Sequence, residues 1–112
     1  DFNSIVRAGD VIARLEPSLF EMQTEQARAN LVRAEADVER LRVTLEDTQA
    51  QLNRSEDLAA RNLISDSEFE AAQIAVRSAE AQLKSSEASA IQSRASLNQS
   101  EVSLGHTVIT AP

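Results

Sequence analysis

The sequence predicts a mainly α fold: a long antiparallel two-helix coiled-coil hairpin with short β-strand segments at its open end. Three observations predict it. Residues 18–104 contain neither Gly nor Pro. Apolar residues recur at every seventh position on both sides of a single break. The two recurrences mirror each other about that break. The composition agrees, with Ala the commonest residue at 18 of 112, Ser next at 13, three Phe, no Trp and no Tyr. Such a make-up suits closely packed long helices better than a sandwich or barrel.

The first element is an extended arm, residues 1–16. Val11, Ala13 and Leu15 alternate with Ile12, Arg14 and Glu16 after a turn at Ala8-Gly9-Asp10, the period-two pattern of a short strand. Asp10 after Gly9 is read as a turn residue. The second element is the helical body, residues 17–105, with helices over about 18–61 and 66–104 and a tip at 62–65. Ser18-Leu19-Phe20-Glu21 and Ser65-Asp66-Ser67-Glu68 both fit the capping box, in which Ser accepts from the N3 amide and Glu reaches back. Pro17 stands just before the first helix. Gly105 follows the second, where it can take the left-handed conformation that stops a helix. The third element is a β-branched tail, Thr107-Val108-Ile109-Thr110, within residues 106–112.

In the first helix Leu31, Val38, Leu45, Leu52 and Ala59 form one series, and Phe20, Ala27, Ala34, Leu41, Thr48 and Ser55 a second. In the second helix the series are Phe69, Val76, Leu83, Ala90, Leu97 and Leu104, and Ala72, Ala79, Ser86, Ser93 and Ser100. A strict period of seven over five heptads implies a left-handed coiled coil. In an antiparallel pair, facing residues have a constant sum of residue numbers. Leu31 with Leu97, Leu45 with Leu83 and Leu52 with Val76 sum to 128, and Ala27 with Ser100 and Leu41 with Ser86 sum to 127. Both sums put the tip near residue 64, inside the break. One seam is large and apolar, and the other is mostly Ala, Ser and Thr. A single two-helix layer buries little area, so the hairpin is expected to gain from neighbours.

Catalysis has little to work with. The absence of Cys removes disulfides, thiolate zinc sites and Cys nucleophiles. His106, the only histidine, is read as a junction residue helping to cap the last carbonyls. Acidic pairs such as Glu46-Asp47 and Glu56-Asp57 are read as solvated helix faces without the convergent ligands a metal needs. No phosphate loop or nucleophile elbow is present. The net charge of −7, from 18 acidic against 11 basic residues, argues against nucleic acid as a partner. No apolar run approaches the ~20 residues of a membrane span.

The tip carries more information. Arg54 lies one turn before Leu58 on one stripe, Ser65 closes the loop, and Leu63 and Ile64 add apolar surface where polar residues are usual. Two readings stand side by side. In one, Arg54 is a solvated charge, Leu58 a seam-edge residue and Ser65 an N-cap. In the other, the three form a docking surface.

Taken together, these features resemble the periplasmic adaptor proteins, also called membrane fusion or HlyD-like proteins, of bacterial tripartite efflux and type I secretion systems. Val6-Arg7-Ala8-Gly9-Asp10-Val11-Ile12-Ala13-Arg14-Leu15-Glu16-Pro17 resembles the first half of that family's lipoyl-like domain. His106-Thr107-Val108-Ile109-Thr110-Ala111-Pro112 resembles the return into its second half. Arg54, Leu58 and Ser65 match the family's Arg-x3-Leu-x6-Ser tip motif in spacing and position. Glu16 stands where the family usually has Asp, and His106 where it often has Tyr.

The resemblance implies a split lipoyl-like domain over residues 1–16 and 106–112, in a chain cut from a longer protein, with no cofactor and no catalysis. It implies a periplasmic protein, attached to the inner membrane in full length, of a Gram-negative bacterium. Its partners would be an inner-membrane transporter, with the ABC type favoured over the proton-driven type, and a TolC-type outer-membrane channel met by the tip. Self-association would be as a hexamer. The other function class is an antiparallel coiled-coil spacer or dimerisation arm with no transport role.

Overall fold

The computed structural model describes the backbone of residues 2–110 and the side chains of residues 17–105. It contains two helices, α1 (Phe2–Ala60) and α2 (Asp66–Thr110), joined by residues 61–65. The chain divides into two compact units. One comprises Asp1–Val32 with Ile91–Pro112, and the other Arg33–Ala90. In each unit a stretch of α1 lies antiparallel to a stretch of α2.

Within Arg33–Ala90, the α1 residues withdrawn from solvent are Ala34, Val38, Leu41, Leu45, Thr48, Leu52, Ser55, Leu58 and Ala59. All but Leu58 belong to the two predicted series. On α2 the withdrawn residues are Phe69, Ala72, Val76, Ala79, Leu83, Ser86 and Ala90, again the predicted ones. Ala79 is the most enclosed of them at 4% exposure, because a methyl side chain lets the opposite backbone close over it. The other unit repeats the pattern with Phe20, Ala27 and Leu31 on α1 and Ser93, Leu97, Ser100 and Leu104 on α2.

The two threonine hydroxyls in the seam are paired with backbone carbonyls. The Thr48 Oγ1 donates to the Leu45 carbonyl oxygen at 3.0 Å. Thr24, one heptad before Leu31 and outside the predicted series, is the most buried polar residue at 3% exposure. Its Oγ1 donates to the Phe20 carbonyl oxygen at 2.8 Å, with the Ser100 carbonyl oxygen of α2 3.4 Å away. Bonding back to the preceding turn satisfies the hydroxyl without a partner from the other helix, so a Thr costs a thin seam little.

Exposed ion pairs cross between the helices, among them Arg28 to Glu101 at 3.7 Å in one unit and Arg42 to Glu87 at 4.0 Å in the other. Exposed pairs add little stability, but they report register. Both have residue numbers summing to 129, while Thr24 with Ser100 sums to 124. These values bracket the predicted 127 and 128. A slip of one heptad would move every sum by seven.

The ends differ from the sequence expectation. The β-strand segments expected over residues 11–16 and 107–110 are helix: α1 runs from Phe2 through Pro17 and Ser18, and α2 continues past Gly105 to Thr110. Ser18 therefore opens no helix, and Gly105 stops none. Gly105 has no positive φ, and a Cβ there would meet nothing within 4 Å. The physical reason is pairing. A strand is stable only within a sheet of three or more, and the described residues contain no other strand for these two short segments to join. Extending a helix that is already nucleated adds one hydrogen bond per residue. The cap expected of His106 concerns a side chain outside the described residues.

Candidate functional site at the helix turn

α1 ends in a Schellman motif. Asn62 takes the left-handed conformation with φ of 58°. The Leu63 N–H donates to the Leu58 carbonyl oxygen at 2.8 Å, and the Asn62 N–H to the Ala59 carbonyl oxygen at 3.0 Å. These are the six-to-one and five-to-two bonds that satisfy the last carbonyls of a helix. The Arg61 N–H is shared between the Asp57 and Leu58 carbonyl oxygens at 3.3 and 3.2 Å. The Arg61 guanidinium pairs with the Asp57 carboxylate at 3.5 Å.

α2 then begins as the sequence predicts. The Ser65 Oγ accepts from the Glu68 N–H at 3.1 Å, and the Ser65 carbonyl oxygen accepts the first helical bond from Phe69 at 3.1 Å. Ser65 is an N-cap.

The three predicted site residues thus have separate placements. Arg54 is exposed on α1, one turn before Leu58. Leu58 is half-buried and supplies a carbonyl to the cap. Ser65 is exposed and holds the start of α2. Leu63 follows the left-handed residue, where an apolar side chain commonly packs on the residue five before it. It is nonetheless 64% exposed. The turn satisfies the last carbonyls of α1 and the first N–H groups of α2 that its bonds reach, and it leaves an apolar side chain facing water.

Asn62 was not singled out by sequence reasoning. The signal was there, because Asn is the usual substitute for Gly at this position and an apolar residue follows it. Asn62→Val should lower stability by about 1–2 kcal/mol, since a β-branched residue resists positive φ. Asn62→Gly should stay within a few tenths. Thermal melts of both variants check this, and equal losses would mean that backbone conformation is not what the position demands.

Among the described residues no group of three His, Cys, Asp or Glu could hold a metal ion, and no helix is long and apolar enough to cross a membrane.

A family model described as "RND MFP, alpha-helical hairpin domain" matches residues 21–100. The chain belongs to this membrane fusion protein family. The hairpin domain so matched takes in the turn and both seams and leaves out the two ends where the structure departs from expectation. Among curated proteins, the chain is 36% identical over 75 residues to the multidrug resistance protein MdtA of Pectobacterium carotovorum subsp. carotovorum strain PC1. It is 35% identical over 75 residues to MdtA of Escherichia coli O45:K1 strain S88. Each alignment covers 67% of this chain and 16% of the relative. No solved structure matches the chain.

Proposed function

We propose that the chain is the hairpin of a periplasmic adaptor in a multidrug efflux pump, and that its turn, with Arg54, Leu58 and Ser65, docks on a TolC-type outer-membrane channel. The observation that carries this reading is the exposed Leu63 at a turn that caps both helices with its own hydrogen bonds. The motif ordinarily packs that side chain back on its own helix, and here it is left 64% exposed, open to a partner. The family match and the name of the MdtA relatives support the pump context. The role is mechanical: it positions one membrane's transporter against the other membrane's channel and involves no catalysis.

The inner-membrane partner in this reading is an RND-type transporter, the class for which the matched family is named, in place of the ABC type favoured from the sequence. Residues 1–16 and 106–112 belong to a lipoyl-like domain and become strands only when paired with the rest of its sheet. The adaptor self-associates, as a hexamer by its resemblance to the family.

A photo-cross-linker placed at Leu63 in the intact protein tests the docking. An adduct with the outer-membrane channel in pump-expressing cells is the expected result. A pump that exports with no such adduct would overturn docking at the turn.

A further inference from the structure

The turn holds Leu63 by its backbone and leaves its side chain free. The Leu63 N–H donates to the Leu58 carbonyl oxygen at 2.8 Å and the Asn62 N–H to the Ala59 carbonyl oxygen at 3.0 Å, so the chain on both sides of the Asn62 Cα is tied to α1. The leucine side chain gives the hairpin little in return. Leu58, on which this motif ordinarily packs it, is itself drawn to the seam edge and half-buried. Ile64, the next residue, is half-buried too, while Leu63 is exposed. Of two adjacent apolar residues, one is withdrawn and the other is presented.

One dihedral makes the difference. With a right-handed residue at position 62, α1 would run on, and Leu63 would fall on the stripe of Arg42, Gln49 and Glu56, spaced by seven along one flank of the helix and all exposed. The φ of 58° at Asn62 ends α1 instead and turns Leu63 out of that stripe into the connection between the helices. Most side chains resist positive φ, and β-branched ones resist it most. Gly adopts it freely but adopts much else as well, whereas Asn tolerates it with fewer alternatives.

Given docking at the turn, as proposed above, we infer that Asn62 is a positioning residue of that surface. Its left-handed backbone, and not its side chain, carries Leu63 off the flank of α1 and presents it, already oriented, to an apolar recess on the outer-membrane channel. The loop is then ordered when the hairpin folds, and that ordering does not weigh against docking.

A photo-cross-linker at position 63 of the intact protein reads the presentation directly, as the yield of channel adduct. Asn62→Gly keeps positive φ accessible and should leave the yield within about twofold. Asn62→Val should cut it at least about fivefold. Leu52→Ala controls for stability alone. It truncates a half-buried seam side chain of the same unit, weakens the hairpin without touching the turn, and should leave the yield within about twofold. Melting curves of the intact variants set a temperature at which all of them are folded. Positioning by Asn62 is overturned if Asn62→Val keeps the full yield, if Asn62→Gly falls as far as Asn62→Val, or if Leu52→Ala does. A distinct result, export with no adduct from the protein carrying the cross-linker and no other change, would overturn docking at the turn itself.

Discussion

Leu97→Ala should destabilise the hairpin by about 2–3 kcal/mol, one of the two largest effects expected of any single change. Leu97 is 8% exposed and, among the described residues, is the only long aliphatic side chain in the buried set, whose other apolar members are Ala27, Val76 and Ala79. Removing three carbons from a buried leucine forfeits their transfer free energy and leaves a cavity, with costs of about 2–5 kcal/mol in globular cores. A two-helix seam borders water on both sides and relaxes more readily than a core, which places the loss at the low end. Leu45 and Leu52 are only half-buried, so their truncation should cost less. Val32→Ala, on an exposed residue, should stay within about 0.5 kcal/mol. Denaturant titration of the three variants orders them. If Leu97→Ala and Val32→Ala lose equally, the seam is not what holds the helices together.

The second large effect is on export. Arg54→Asp should abolish it while leaving the melting temperature nearly unchanged. Arg54 is exposed, and such changes move stability by less than about 0.5 kcal/mol. A reversed charge inside an interface costs several times more. Leu58→Asp should also abolish export, but not as a clean docking variant. Leu58 is half-buried and lies in the cap of α1, so the charge is expected to lower stability as well. Ser65→Ala should cost about 1 kcal/mol through the lost N-cap and weaken export only in proportion. Paired measurements of export, channel capture and melting separate the three. Should the Arg54→Asp protein still capture the channel and export, the turn is merely a turn.

Within the candidate site, what was legible followed from local chemistry. Ser65 three residues before Glu68 is an N-cap in any helical context, and the structure has that bond. Leu58 was placed at the seam edge by its spacing, and it is there. Its carbonyl's part in the cap depends on the left-handed turn at Asn62, which the pattern of apolar residues does not record. Thr24 was missed for a related reason. A hydroxyl at a seam position reads as a break in the apolar series, and only the bond to Phe20 makes it a buried member.

Sequence alone determined the seams, the break between the helices and their register to within a few residues. A heptad repeat mirrored about one point admits a single antiparallel pairing that buries it. The tertiary structure decided the ends. Val11–Leu15 and Thr107–Thr110 are β-prone by composition, and Pro17 and Gly105 are conventional helix boundaries, yet α1 and α2 run through all of them. A strand's stability lies in its neighbours rather than in itself. Where the described chain offers no sheet to pair with, the helix already formed continues, because each added residue closes a hydrogen bond within its own segment.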